Sequence, residues 1–416
     1  MPGSGTAAAR GAGTRGGEEP VLSRGVVVLF AVACGAAVAN VYFSQPLLAA
    51  IGDDLAMSPG LVGGIVTLTH VGYGLGLFLL VPLGDIADRR RLVVTQFLLL
   101  VAALAVVATA PTAAVLLAGM AATGLLAVVT QTLVAFAASL APPAARGRVV
   151  GLVTGGVVIG ILLARTVSGV LADLAGWRSV YLASASLSAL LALVLHRVLP
   201  RHGAAPPPAL RYGQLLRSTV TLFVREPLLR LRALFGLLVF AAFSTLWSSV
   251  ALPLGEPPYS LSHTAVGALG LIGVVGALAA SAAGRLTDRG HGGRTTGAAL
   301  ALLAVSWLPL AFTRDSLWAL VAGVVLLDLA VQAVHVTNQT LIHALCPGAG
   351  SRLIGGYMVF YAAGSATGAL AATSLYAAAG WGAVCALGAG FSVLGFALWA
   401  LTRRAEPPVA APPAVR

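Results

Sequence analysis

The chain has 416 residues, of which 58% are hydrophobic and only 9% are charged, and its mean hydropathy is +0.95. Soluble proteins carry about 25% charged residues, so this composition excludes an ordinary water-soluble protein and indicates a chain that is solvated by a lipid bilayer. The formal net charge is +12, but its arginines are spread along the chain and form no soluble basic domain, so we expect no nucleic-acid partner.

Apolar stretches of about 20 residues, each long enough to cross a ~30 Å hydrocarbon core as a helix, recur along the chain. The predicted spans are residues 26–49, 60–83, 91–110, 113–140, 149–171, 179–197, 233–254, 264–284, 295–313, 317–345, 353–376 and 382–402. Residues 1–25 are rich in Gly, Ala and Arg, and we expect a disordered tail there and not a signal peptide. Cys34, Cys346 and Cys385 lie far apart, which predicts neither a disulfide framework nor a metal site.

The distribution of the arginines predicts the orientation of the chain in the membrane. With the N-terminus inside, every arginine outside the spans falls on the cytoplasmic side except Arg178 and Arg314. We therefore expect a multi-pass protein of a bacterial plasma (inner) membrane with both termini in the cytoplasm.

Short echoes in the sequence indicate an internal duplication. The segment GDIADR at 84–89 returns as GRLTDR at 284–289, and QTL at 131–133 returns at 339–341. Two parallel six-helix halves that face each other are a transporter design, with the substrate bound between them near the membrane midplane. We predict an all-α, monomeric membrane protein of 12 transmembrane helices in two pseudo-symmetric halves. Its predicted parts are a cytoplasmic N-tail (1–25), an N-terminal half (26–197), a cytoplasmic linker (198–232), a C-terminal half (233–402) and a cytoplasmic C-tail (403–416).

The loop after the second span carries a recognisable motif. Gly84, Asp88 and Arg89 match the pattern G-x-x-x-D-R-x-G-R-R, and Gly284, Asp288 and Arg289 repeat it in the second half. On these residues the chain resembles the major facilitator superfamily, and it is most similar to the drug:proton antiporter branch. The resemblance implies that the six residues form a conformational latch on the cytoplasmic side. The alternative is that they only set the membrane topology.

The fifth span resembles the antiporter motif G-x8-G-x3-G-P-x2-G-G. Gly151 and Gly160 match it, while Ala164, Ser168 and Gly169 stand at three of its later glycine positions. We predict close helix packing at Gly151, Gly160, Ala164 and Gly169, because small residues let helices approach. Arg165 replaces the proline of this motif. In the fourth span, Met120 stands where the family has the arginine that is implicated in proton coupling.

Two charged residues, Arg165 and Asp328, lie well inside predicted spans, where ionisable side chains are costly and typically functional. Asp328 is the predicted proton carrier, because burial drives a carboxyl towards its neutral form. His335 lies two turns further along, and the unperturbed pKa of a histidine side chain is in the range that suits a relay. Arg165 and Asp328 lie at similar depth, ~25 and ~27 Å from the cytoplasmic edge at the helical rise. We therefore hypothesise that they pair, or share a polar network, in one state of a transport cycle.

Span 10 carries a polar stripe, since Asp328, Gln332, His335 and Gln339 fall on one face of the helix. The resemblance implies that spans 1, 4, 7 and 10 line a central cavity, so this stripe would face the cavity. The alternative is that the stripe only forms hydrogen bonds between helices. The other predicted substrate-cavity residues are Asn40, Tyr42, Gln45, Gln131, Trp247 and Tyr361.

These features predict a secondary transporter that exports a small amphipathic organic compound in exchange for protons by alternating access. The phosphate-binding pattern G-x-x-x-x-G-K-[ST] is missing, so the proton gradient is the expected energy source, with no cofactor and no metal. The expected partners are the substrate, protons and the bilayer. One alternative is proton-coupled uptake of a sugar, nucleoside or other metabolite. A membrane enzyme or a transport-dead sensor is an alternative of another class, although the clustered carboxylates that a metal-dependent enzyme needs do not occur.

Overall fold

The computed structural model describes residues 23–142, 145–199, 211–345 and 350–403. Within these ranges the chain is helical and contains no β-strand. Nearly all of the two predicted tails, and the proline-rich part of the predicted linker, lie outside the described residues.

The helices follow one another with short connections. In chain order they are α1 (Arg24–Ala39), α2 (Leu48–Asp54), α3 (Pro59–Leu79), α4 (Arg89–Ala108), α5 (Ala113–Ala127), α6 (Val129–Leu140), α7 (Arg146–Ala175), α8 (Trp177–Val198), α9 (Tyr212–Arg225), α10 (Pro227–Trp247), α11 (Ala251–Gly255), α12 (His263–Ala268), α13 (Val274–Leu286), α14 (Gly292–Ala311), α15 (Leu317–Leu345) and α16 (Gly350–Thr402). Shorter turns lie between them, three of them 3-10 (Gln45–Leu47, Val81–Asp85, Leu269–Gly273) and one π-helical (Thr287–His291).

Twelve membrane crossings can be identified along this path. In the described residues, nine helical segments are long and apolar enough to cross a bilayer, and Arg24–Ala39 and His263–Gly276 are shorter apolar helices. The segment Leu353–Thr402 makes two crossings, because Gly380 bends it with a φ of 73°. We call α1–α8 the first half and α10–α16 the second half. The predicted fold of 12 transmembrane helices in two pseudo-symmetric halves is confirmed.

Four predicted spans are interrupted, contrary to the sequence prediction of continuous helices. The fourth and the seventh break only briefly, at Val128 and at 248–250, whereas the first and the eighth change more. The first ends as a regular helix at Ala39, because the Asn40 side chain donates to the carbonyl oxygens of Ala36 and Ala37, and Pro46 follows in a 3-10 turn. The eighth contains the 3-10 turn Leu269–Gly273. Its glycines weaken the α-helix and let the backbone wind more tightly.

Each half is held together by a glycine seam at the same relative position. A Cβ atom at Gly160 of α7 would overlap the backbone of Gly35 in α1, and a Cβ at Gly364 of α16 would overlap the carbonyl of Leu237 in α10. Without side chains between them, the helices approach closely enough for extensive van der Waals contact. The repeated seam shows that the duplication seen in the sequence is also a duplication of packing.

The halves contact each other on the side away from residues 89–91, 146–148 and 285–294. We call the side that holds those residues the arginine-rich side, and the other the opposite side. On the opposite side, Gly169 of α7 packs against the carbonyl of His263, and Gly63 of α3 packs against Thr373 of α16. A hydrogen bond of 2.8 Å between His263 Nδ1 and Asp173 adds to the first contact. These contacts close the opposite side.

The outer surface of the bundle suits a bilayer, since large apolar side chains such as Trp318, which is 82% exposed, point away from the protein. Both arginines that the sequence places on the opposite side form ion pairs there. Arg178 pairs with Asp54 and holds the pKa of that carboxyl below its usual value, and Arg314 pairs with Glu256 at 3.0 Å.

Candidate functional site

Arg165 lies where the two halves meet, and a Cβ at Gly267 of the second half would overlap its carbonyl oxygen. Arg165 is only 3% exposed, and its Nε donates a 2.7 Å hydrogen bond to Oε1 of Gln45. Its Cζ lies 4.0 Å from the ring centroid of Trp247, 5.3 Å from that of Tyr42 and 5.7 Å from that of Phe243. These aromatic faces, which come from both halves, attract the guanidinium through their quadrupoles. Its Nη2 is buried without a hydrogen-bond partner.

Asp328 of α15 lies close by in the second half and is 6% exposed. Trp247 lies beside its carboxyl, yet neither the indole Nε1 of Trp247 nor Oδ1 of Asp328 completes a hydrogen bond. Arg165 and Asp328 attract each other through space, but their nitrogen and oxygen atoms do not come within the 4.0 Å of an ion pair. The site therefore holds two opposite buried charges that are near each other and not joined.

A row of glycines in the eighth span makes room for both charged side chains. Because a 3-10 helix has three residues per turn, glycines spaced by three lie along one face. A Cβ at Gly270 would lie 3.2 Å from the side chain of Arg165, and one at Gly273 would lie 3.0 Å from Oδ2 of Asp328. The sequence analysis missed these residues. Their signal is the spacing of the glycines at positions 267, 270, 273 and 276.

Two further members of the polar stripe of span 10, His335 and Gln339, are hydrogen-bonded. Nδ1 of His335 lies 2.9 Å from the hydroxyl of Tyr357, and its Nε2 lies 3.2 Å from Nε2 of Gln339. Gln332 lies against Gly276 of the eighth span. His335 is thus engaged with neighbours other than Asp328, as in the alternative of hydrogen bonds between helices, and its role as a proton relay stays a prediction.

Tyrosines form a layer across the middle of the molecule. The hydroxyls of Tyr42 in the first half and Tyr361 in the second half share a short hydrogen bond, and the ring of Tyr73 packs on Tyr361 with a centroid distance of 6.4 Å. Gln131 lies against the hydroxyl of Tyr73. We call Tyr42, Tyr73 and Tyr361 the tyrosine layer. The tyrosine layer joins the two halves, and Tyr42 also belongs to the rings that surround Arg165.

A cavity of about 340 Å³ lies between the halves on the arginine-rich side. We call it the inter-half pocket. Its lining comes from the end of α3, from the 3-10 turn Val81–Asp85, from the starts of α4, α7 and α16, and from α6 and α9. The lining residues are Leu77, Phe78, Val81, Pro82, Gly84, Arg89, Gln131, Thr132, Ala135, Ala138, Ser139, Arg146, Thr219, Gly355, Gly356 and Val359.

The predicted latch is not joined across the halves in this conformation. Asp88 accepts a hydrogen bond from the backbone of Arg91 and so caps α4, while Nε of Arg89 donates to the carbonyl of Gly84 at 2.9 Å. In the second half, Asp288 and Arg289 are exposed beside Gly290. Both contacts of the first motif stay within the first half, so a latch between the halves stays a prediction for another state.

Three predictions need correction. Gly151 is exposed and nothing lies near it, so it does not pack against another helix. Gly156, five residues further along α7, contacts α1 instead. The side chain of Asn40 is occupied by its own helix and by Ser184, and so does not reach the cavity. Arg232, which we counted in the linker, lies inside α10 and is 1% exposed, with Nη1 donating 2.9 Å to Thr296.

Comparisons with known proteins agree with this architecture. A family model described as "Major Facilitator Superfamily" matches residues 28–296 and 259–416. The chain is 45% identical over 378 residues to the uncharacterized transporter YgaY of Escherichia coli O157:H7, covering 91% of this chain and 95% of that protein. It is 30% identical over 175 residues to the purine ribonucleoside efflux pump NepI of Escherichia coli O127:H6, covering 42% and 43%. A bacterial homolog of the human lysosomal transporter Spinster, solved in an inward-facing and occupied conformation, aligns with a TM-score of 0.76 at 15% identity, covering 92% and 97%.

Proposed function

Since this chain belongs to the Major Facilitator Superfamily, we propose that it is a secondary transporter that exports a small amphipathic organic compound in exchange for protons. The proposal places the chain in a bacterial plasma membrane, with its arginine-rich side in the cytoplasm and the proton gradient as its energy source. Export is supported by the similarity to an efflux pump, although that similarity spans less than half of the chain. Membership of a family of transporters favours transport over the alternative of a membrane enzyme.

The observation that carries the proposal is the environment of the Asp328 carboxyl. This carboxyl is buried in a membrane-spanning helix, and one oxygen has no hydrogen-bond partner. Buried polar atoms are nearly always bonded, and an intramembrane carboxyl is costly. A proton removes that cost, because it neutralises the group and makes it a donor. Asp328 is therefore suited to alternate between an ionised and a protonated form during transport.

The position of Arg165 explains how such a proton would act on the whole molecule. Arg165 belongs to α7 of the first half and Asp328 to α15 of the second half. Ionised Asp328 is attracted to Arg165 across the boundary between the halves, and protonated Asp328 is not. Proton binding would thus weaken one of the forces that hold the halves in this conformation, which is the link that proton-coupled transport needs.

The test uses everted membrane vesicles from cells that express the protein, with respiration acidifying the vesicle interior and a pH-sensitive dye reporting that gradient. The probes are ethidium, 2-naphthoate and adenosine, which represent an amphipathic cation, an anion and a nucleoside. For an exporter that exchanges protons, addition of a transported probe should release protons from the vesicles. Proton release of the same size in vesicles without the protein would contradict exchange by the protein, and energised accumulation of a probe in intact cells would favour the uptake alternative.

Asp328→Asn should reduce this proton release by about tenfold or more, because asparagine cannot carry a proton. The matched control is Asp315→Asn, which makes the same change at an exposed acid in the loop after α14. Proton release of wild-type size in Asp328→Asn would show that the carrier is another group.

A further inference from the structure

The inter-half pocket has an unbalanced charge. Among the residues whose side chains the structure describes, its lining includes Arg89 and Arg146 and no acidic residue. Nε of Arg89 donates to the carbonyl of Gly84 at 2.9 Å, and Nε of Arg146 donates to the carbonyl of Ala138 at 3.1 Å. Each bond restrains its guanidinium through Nε, with Arg89 half-buried and Arg146 exposed, and neither bond uses the two Nη groups. Guanidiniums suit carboxylate and phosphate groups, which accept two parallel hydrogen bonds.

The rest of the pocket is mostly apolar. Leu77, Phe78, Val81 and Val359 contribute side chains from both halves, and a volume of about 340 Å³ suits a small organic molecule. Gln131 lies between the pocket and Tyr73 of the tyrosine layer. A molecule bound here would thus reach from the arginines towards Gln131 and the tyrosine layer.

We propose that the inter-half pocket binds amphipathic organic acids, with the acid group on Arg89 and Arg146 and the apolar body among the side chains of α3 and α16, and that such acids are the transported compounds. The binding site stands on the pocket alone, whereas the second clause rests on the proposed function. Positive charge on this side is also expected from membrane topology. Topology requires neither that two arginines line one cavity nor that backbone carbonyls orient them.

The acid can come from two sources, since a free small acid and the headgroup of an acidic lipid present the same chemistry. The test therefore uses purified protein in nanodiscs of uncharged phosphatidylcholine and measures binding by isothermal titration calorimetry. The probes are 2-naphthoate, 2-naphthalenemethanol and 2-naphthylmethylammonium, which share one ring system and differ in charge. We expect 2-naphthoate to bind at least tenfold more tightly than the alcohol and the amine not to compete, because charge-assisted hydrogen bonds carry the difference.

Two variants test the binding site, one by removing its charges and one by filling its cavity. Arg89→Gln with Arg146→Gln should weaken the binding of 2-naphthoate about tenfold or more and leave the binding of the alcohol unchanged. Gly355→Leu should block all probes, because Gly355 lines the pocket and nothing lies within 4 Å of a Cβ built there. A leucine can thus fill the cavity without disturbing the helix. The control, Arg225→Gln with Arg285→Gln, removes the same charge from exposed positions outside the pocket and should change affinity less than about twofold.

Each outcome decides the proposal. It is overturned if wild-type protein does not bind 2-naphthoate, if the alcohol or amine binds as tightly, or if the control loses as much affinity as the pocket variant. If nanodiscs with phosphatidylglycerol abolish 2-naphthoate binding by wild type, the natural occupant is a lipid headgroup and the clause on transport is wrong. Binding is measured without a proton gradient, so it can succeed or fail independently of proton release by Asp328.

Discussion

At the scale of single residues, the unusual feature is a pair of buried opposite charges that attract each other without contact. Arg165 is stabilised instead by Gln45 and by the ring of Trp247, while Asp328 keeps an unbonded oxygen. A closed ion pair would hold the halves firmly and would be costly to break. An open pair leaves Asp328 accessible to a proton at a smaller cost.

This arrangement predicts a measurable coupling between the two residues. Arg165→Gln should destabilise the protein, because it leaves the buried carboxylate without a compensating charge, and adding Asp328→Asn should recover part of the loss. We expect a coupling energy of about 1–2 kcal/mol from a double-mutant cycle of reversible unfolding in mixed micelles. The control cycle, Arg178→Gln with Asp54→Asn, removes an ion pair that is in direct contact but solvent-exposed, and its coupling should be smaller. A larger coupling in the control would mean that burial does not strengthen the attraction between Arg165 and Asp328.

At the scale of helices, the glycine seams determine how each half packs. Gly160 lies against Gly35, and Gly364 repeats this contact in the second half, whereas Gly151 faces open space. Three glycines of similar appearance in the sequence thus have different energetic roles. The difference is whether another helix packs against the glycine, as α1 does at Gly160 and α10 does at Gly364.

Gly160→Val should destabilise the protein by about 2–3 kcal/mol, because its side chain would force α7 away from α1. Gly364→Val should have a similar effect through α10. Gly151→Val is the matched control on the same helix and should not lower the stability, since nothing lies within 4 Å of its Cβ. The measurement is the fraction of protein that stays monodisperse in detergent after heating. Equal losses at positions 151 and 160 would contradict the seam.

At the scale of the whole molecule, the structure is closed on the opposite side and has its pocket on the arginine-rich side. The closing contacts are duplicated, since Gly169 meets His263 as Thr373 meets Gly63. Alternating access requires these contacts to separate while the arginine-rich side closes.

A reversible cross-link tests this requirement. A Cβ at Gly63 would lie 3.1 Å from Cβ of Thr373, close to the ~3.8 Å of disulfides, so Gly63→Cys with Thr373→Cys should form a disulfide on mild oxidation. In a background in which Cys34, Cys346 and Cys385 are replaced by alanine, we expect the oxidised protein to lose transport and the reduced protein to regain it. Ligand binding from the arginine-rich side should persist in both. Transport by the fully cross-linked protein would show that the opposite side does not open along this interface.

Much of this protein follows from the sequence alone. Its composition requires the bilayer as solvent, the lengths of the apolar stretches predict twelve crossings, and the repeated segments at 84–89 and 284–289 predict two halves. The repeat is a comparison of the sequence with itself. The other two properties are local or additive, since each depends on the free energy of transferring a short segment from water into lipid. For the same reason, Arg165 and Asp328 could be singled out from the sequence, because a charge in an apolar run is conspicuous whatever surrounds it.

Only the tertiary structure decided what these residues contact. Residues on a helix are 100° apart, so a small error in the phase of a helix moves a side chain from a cavity to a neighbouring helix, as happened for Asn40. The stacking of Arg165 on Trp247, the space left by Gly270 and Gly273, and the joining of Arg89 and Arg146 in one pocket each depend on helices that are distant in sequence. The sequence determined which residues carry charge inside the membrane. Their partners were decided by packing between the two halves, because the free energy of such contacts belongs to pairs of surfaces and not to any one segment.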